Sequence, residues 1–179
     1  MAKIRSAGGI KRPAIALAAA LLTATSLGVS ASSAQAADDN RHRANAELGI
    51  NCAVPPQHDP NIIRTVYDIA VQRGANEKVL LSAFEAGWVE SHMHNLNCGD
   101  RDSLGVFQQR PSQGWGTPEQ CMDPVHATNK YLDQAIINDS KNPGYTAGQL
   151  AQSVQRSAYP ERYDQAEGKA LEMIAEVRG

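Results

Sequence analysis

A mainly α-helical domain is what this sequence predicts, and three observations carry that reading. Beyond residue 58, apolar side chains recur at three- and four-residue spacing in one stretch after another. Good capping residues stand in front of those stretches: Asp59-Pro60, Asn76, Asp123-Pro124 and Thr146. No apolar–polar alternation of useful length argues for a strand, and no internal repeat is present.

The elements follow in order. Val54-Pro55-Pro56 is extended, because each proline disfavours helix at the residue before it. Behind Asp59-Pro60, the residues Ile62, Ile63, Val66, Ile69 and Ala70 make one apolar stripe, and Gly74 closes the helix. Asn76 caps a helix from Glu77 to about Met93, with Leu80, Ala83, Phe84, Gly87 and Ser91 on one side. On this helix Glu90 shares the edge of the apolar face, whereas Glu85 is expected to point away with Lys78. Asn95 to Asp102 is a loop, and Asp102-Ser103 is expected to start a short helix carrying Phe107. The run from Arg110 to Pro118 is rich in turn formers. Asp123-Pro124 opens a helix to about Ile137, broken at Asn142-Pro143-Gly144. Thr146 caps a helix with Leu150, Ala151 and Val154 inside, and Tyr159-Pro160 interrupts. Arg162 to Val177 is a last amphipathic helix using Ala166, Ala170, Met173, Ile174 and Val177.

The ends and the composition narrow the function classes. Lys3, Arg5, Lys11 and Arg12 precede an apolar stretch from Pro13 to Val29, and Ala34-Gln35-Ala36 is a small-x-small site. That pattern predicts a signal peptide over residues 1–36, cleaved rather than kept as an anchor. A flexible leader and extended segment over 37–58 then precede one small domain over 59–179, expected to be a secreted or wall-associated monomer. A formal charge of −2 and an aromatic content of 5% argue against a nucleic-acid or anionic-membrane partner. A polymer substrate would be uncharged or of mixed charge. Export makes the three cysteines possible disulfide partners, as Cys52–Cys98, Cys98–Cys121 or Cys52–Cys121. Cys52–Cys98 is preferred, because it staples Asn51 to Gln57 onto the loop beside Glu90.

The candidate chemistry centres on Glu90. Cleaving a glycosidic bond needs a carboxylic acid that still holds its proton near neutral pH, and partial burial raises a carboxyl pKa. Ser91, Asn95, Asn97 and Gln108 are polar neighbours within one loop. A second carboxylate, Asp100 or Asp102, would activate water if it stood roughly 6.5–9.5 Å away; otherwise the glycan's own hydroxyl attacks. Both aspartates also suit turn and cap hydrogen bonding. Trp115, between Gly114 and Gly116, either stacks on a sugar ring or plugs the core. Tyr131 and Tyr145 read as core or rim. His92 and His94 are two apart, so a regular helix points them away from each other. No metal or cofactor is expected.

These residues resemble the lysozyme-like superfamily, in particular the soluble lytic transglycosylase domain, with goose-type lysozyme as a relative. Glu90-Ser91 near a helix end is followed 18 residues after the glutamate by the Gln of Gly105-Val106-Phe107-Gln108, similar to that family's Glu-Ser and Gly-Leu-Met-Gln. Asp123-Pro124 looks like its later Asp-Pro step. The run from Gly99 to Gly116, with Gln108-Gln109-Arg110 and Gly114-Trp115-Gly116, is similar to a branch of secreted bacterial proteins. The resemblance covers about Pro60 to Tyr163. It implies a lysozyme-like helical domain with a substrate cleft and irregular loops, acting on the β-1,4 bond between N-acetylmuramic acid and N-acetylglucosamine. Glu90 would be the general acid and then base. Ser91, Asn95, Asp100, Asp102, Gln108, Gln109, Trp115 and Tyr159 would shape the substrate site. In transglycosylases the product is a 1,6-anhydromuramic sugar, and no second carboxylate is needed. One departure stands out. The family's Ala-Tyr-Asn-Ala-Gly falls at Ala151-Gln152-Ser153-Val154-Gln155, without Tyr-Asn, and Tyr159 is the expected substitute. Two other classes are a wall-binding module without turnover and an assembly protein on the same scaffold.

Overall fold

The computed structural model describes residues 52–179, so the expected signal peptide and most of the leader lie outside the described residues. Seven α-helices and one 3-10 turn follow: α1 Pro60–Gln72, α2 Glu77–Ser91, a 3-10 turn Pro111–Gln113, α3 Pro118–Cys121, α4 Pro124–Lys141, α5 Ala147–Gln155, α6 Glu161–Gln165 and α7 Glu167–Arg178. Among the described residues there is no named strand, only an isolated bridge between Leu104 and Gln109. No described helix is long and apolar enough to cross a membrane.

The caps do what their residue types predict. Asp59 accepts from the amide of Asn61, Asn76 from Val79 and Asp123 from Val125. Thr146 and Gln149 close a reciprocal capping box. Helix α4 runs four residues past the expected stop, to Lys141. The expected last helix is two, because the chain turns at Ala166 between α6 and α7.

Helix α2 is the centre of the domain and packs against α1, α4, α5, α6 and α7. Its burial therefore goes almost all the way round, and a two-faced helix rule fails on it. Glu85 shows this. Expected to face out with Lys78, it is 1% exposed. Helices close over both sides of α2, so the direction away from Leu80 and Ala83 leads into more protein, not into water.

The expected helix at Asp102-Ser103 is instead a tight reversal. Leu104 and Gln109 exchange both amide bonds at 2.9 Å, and Gly105 and Gln108 sit at φ +76° and +45°. A Cβ at Gly105 would run into the Cys121 carbonyl, so only glycine fits there. The reversal is anchored from three helices. Ser91 Oγ on α2 donates to Val106 O (2.7 Å), Gln155 Nε2 at the end of α5 donates to Phe107 O (2.8 Å), and the Phe107 ring stacks on Tyr131 of α4 with centroids 4.8 Å apart.

Cys52 and Cys98 form a disulfide, and Cys121 is a buried free thiol whose pKa is raised by burial first and by the Asp102 charge second. The disulfide ties the extended segment to the loop after α2. His92 Nδ1 donates to Pro55 O (2.8 Å) and His94 Nε2 to Gln57 O (2.6 Å), fastening the same segment.

Candidate functional site

A cleft of about 770 Å³ opens beside the C-terminal end of α2. Its walls are the 99–115 loops, α4, and the segment from the end of α5 into α6. Of the residues expected at the site, Glu90, Asp100, Gln108, Gln109, Trp115 and Tyr159 line it. Ser91, Asn95 and Asp102 stand behind the wall and hold it.

Glu90 reaches the cleft because α2 ends just after it. His92 and Met93 both turn left-handed, at φ +51° and +58°, which folds the chain back and leaves the last turn as an edge. Met93 then lies over Gly87, where a Cβ would meet its sulfur, so a larger residue there would displace the thioether. Glu90 is half-buried, with one oxygen fixed: the Tyr163 hydroxyl on α6 donates to Glu90 Oε1 at 2.7 Å. Tyr163 is buried, and its pKa is raised well above the ordinary value by burial first, then by the charge and hydrogen bond of Glu90. The phenol therefore stays a donor at any ordinary pH.

Tyr163 was the residue that sequence reasoning passed over. The expected phenol, Tyr159, lines the cleft, and Tyr163, four residues further on, donates to Glu90. The signal was present. Tyr163, Ala166, Ala170, Met173 and Val177 are all buried at helical spacing, so the apolar stripe of the last helix extends back to a tyrosine. A phenol on a buried stripe needs a polar partner inside. The stretch 151–155 has other work: Gln152 Nε2 donates to Ser157 O, and Ser153 Oγ to Leu150 O.

Asp102 is consumed by structure. It accepts from Arg110 Nε (2.8 Å), Ser112 N (2.8 Å) and Ser112 Oγ (3.0 Å). These donors, the Ser112 amide first and Arg110 second, hold its carboxyl far below the usual range. Asp100 is exposed and lines the cleft. Gln108 Nε2 donates to Cys98 O (3.1 Å) and Gly105 O (3.2 Å), and Gln109 Nε2 to Ala127 O (3.0 Å). Asn95 Nδ2 donates to Met122 O at 2.8 Å. Trp115 packs against the core and also lines the cleft. Tyr131 is core and Tyr145 is exposed, away from the cleft lining. Among the described residues no group of three His, Cys, Asp or Glu side chains is placed to hold a metal ion.

No protein-family model matches this chain, and no curated protein matches it. The site therefore stands on its own geometry: a half-buried carboxyl in an open polar cleft, oriented by a buried phenol, with an indole on the wall.

Proposed function

We propose that this protein is an exported peptidoglycan-cleaving enzyme on a lysozyme-like scaffold, acting on the β-1,4 bond between N-acetylmuramic acid and N-acetylglucosamine. One observation carries the reading: Glu90 lines the cleft while Tyr163 donates to its Oε1. A phenol on one oxygen fixes the rotamer of a carboxyl that faces the cleft. That is the arrangement a general acid needs, since proton transfer depends on a positioned group. Trp115 offers a ring for stacking on a sugar, and Asp100 an exposed polar contact.

Asp102 is a poor candidate for activating water, being saturated with donors and outside the cleft lining. Asp100 still lines the cleft, so water activated there would give hydrolysis, whereas attack by the glycan's own hydroxyl, with Glu90 taking that proton back as base, would give an anhydro product. Tyr163 brings a phenol to Glu90 although the Tyr-Asn pair is missing, which supports turnover over binding alone.

Incubating purified wall with the protein and with Glu90→Gln tests the proposal. Soluble muropeptides are expected from the first and not the second, at matching thermal stability. The product masses decide the route: an added water means hydrolysis, and its lack means anhydro-ring closure. Equal release by the Gln variant would end the assignment.

A further inference from the structure

The cleft reverses the charge of the domain around it. Residues 52–179 contain eleven lysines and arginines against sixteen aspartates and glutamates, a formal charge of −5. Yet four of those cations, Arg110, Lys130, Arg156 and Arg162, line the cleft against three anions, Glu90, Asp100 and Asp133. Two of these ions are already matched: Arg110 to Asp102, and Asp133 to Arg73 (2.7 Å). Neither the Lys130 ammonium nor the Arg156 guanidinium has an ion pair or hydrogen bond among the described residues.

Arg156 carries a second, independent signal. It caps α5 in the left-handed region, at φ 54° and ψ 42°. Glycine is the usual occupant there, because a Cβ is strained in that conformation. An arginine at a glycine position, with its side chain on a cleft wall and no internal partner, is what a ligand contact would require. Lys130 comes from another element, on the face of α4 that also sends Gln134 and Ile137 to the cleft.

We infer that Lys130 and Arg156 form an anion subsite for carboxylates hanging from the glycan strand. The inference rests on the proposed function and narrows its substrate. The β-1,4 backbone of N-acetylated sugars is neutral, so the charge must come from a substituent: the lactyl acid of muramic acid, or the stem peptide attached to it. Charge-assisted bonds to a carboxylate are strong enough to set a preference between strands.

Binding is the direct readout, measured in a Glu90→Gln background so that cleavage does not consume the ligand. Three probes share the backbone: a neutral chitin oligosaccharide, wall strands stripped of peptide (free lactyl carboxylate), and strands with intact stem peptides. The double substitution Lys130→Gln, Arg156→Gln is expected to lower affinity for the carboxylate-bearing strands about tenfold and leave chitin binding unchanged. Loss on stripped strands assigns the subsite to the lactyl group; loss confined to peptide-bearing strands assigns it to the stem peptide. Arg156→Gly is expected to weaken the same binding while raising the melting temperature, since it removes the left-handed strain. Equal affinity for all three probes, untouched by the substitutions, overturns the subsite and leaves the proposed function standing. No binding to any probe overturns both.

Discussion

Glu85 and Glu90 lie five residues apart on α2 and meet opposite surroundings. Glu85 is sealed among helices, and its Oε2 has no hydrogen-bond partner. Burial, then the charges of Asp164 and Glu167, push its pKa up to about 8. Glu90 stands at an open cleft, with Tyr163 donating to it. An elevated carboxyl pKa is a common pointer to an active site, yet here it marks a residue that no substrate can reach. Access and orientation separate the two glutamates; shielding from water alone does not.

The two ends of α2 are also held by different means, and this orders the expected effects. Glu90's end depends on a cross-link, Cys52–Cys98, spanning 46 residues. Replacing both cysteines with alanine is expected to cost about 4 kcal/mol by the loop-entropy rule, read as a lower denaturant midpoint. Amide exchange should rise first around residues 92–110, with the α2–α5 packing protected longer; uniform loss would break the contrast.

Glu85 should make stability fall with pH. Its folded pKa of about 8 lies above the ordinary 4.5, so its proton is held more tightly when folded. Stability on this account is whole below pH 4.5 and is lost as pH climbs through about 8. Glu85→Gln, which needs no proton, is expected to melt at least about 5 °C above wild type at pH 9, with the gap closing at pH 4. A gap that ignores pH would place Glu85 in contact with solvent.

Tyr163→Phe removes one hydroxyl and little volume. Wall release is expected to drop roughly tenfold to a hundredfold, the range for losing a positioned hydrogen bond to a charged group. Tyr159→Phe serves as its comparison and should change release less. The smallest effect tests a remote cap: Asp123→Ala at the start of α4 should cost about 1 kcal/mol of stability without changing release per folded molecule.

Much of this architecture was legible because its causes are local. Asp59-Pro60, Asn76, Asp123-Pro124 and Thr146 cap helices through bonds to amides two or three residues on, and such spacing is written in the chain. The Cys52–Cys98 pair followed from the need to fasten a helix-free segment. What failed was non-local. Glu85 was sent outward by a rule that assumes one wet face, and five helices cover α2. The 103–109 reversal depends on Ser91, Gln155 and Tyr131, none of which is near it in sequence. The Tyr163–Glu90 bond joins residues 73 apart, which no spacing rule can reach.

Placing Glu85→Gln and Glu90→Gln side by side at pH 7 tests the central claim most directly, by muropeptide release per folded molecule together with melting temperature. The account predicts that Glu90→Gln abolishes release at an unchanged melting temperature, whereas Glu85→Gln releases muropeptides like wild type and melts higher. Release lost in Glu85→Gln and kept in Glu90→Gln would contradict it and move the chemistry to the buried carboxyl.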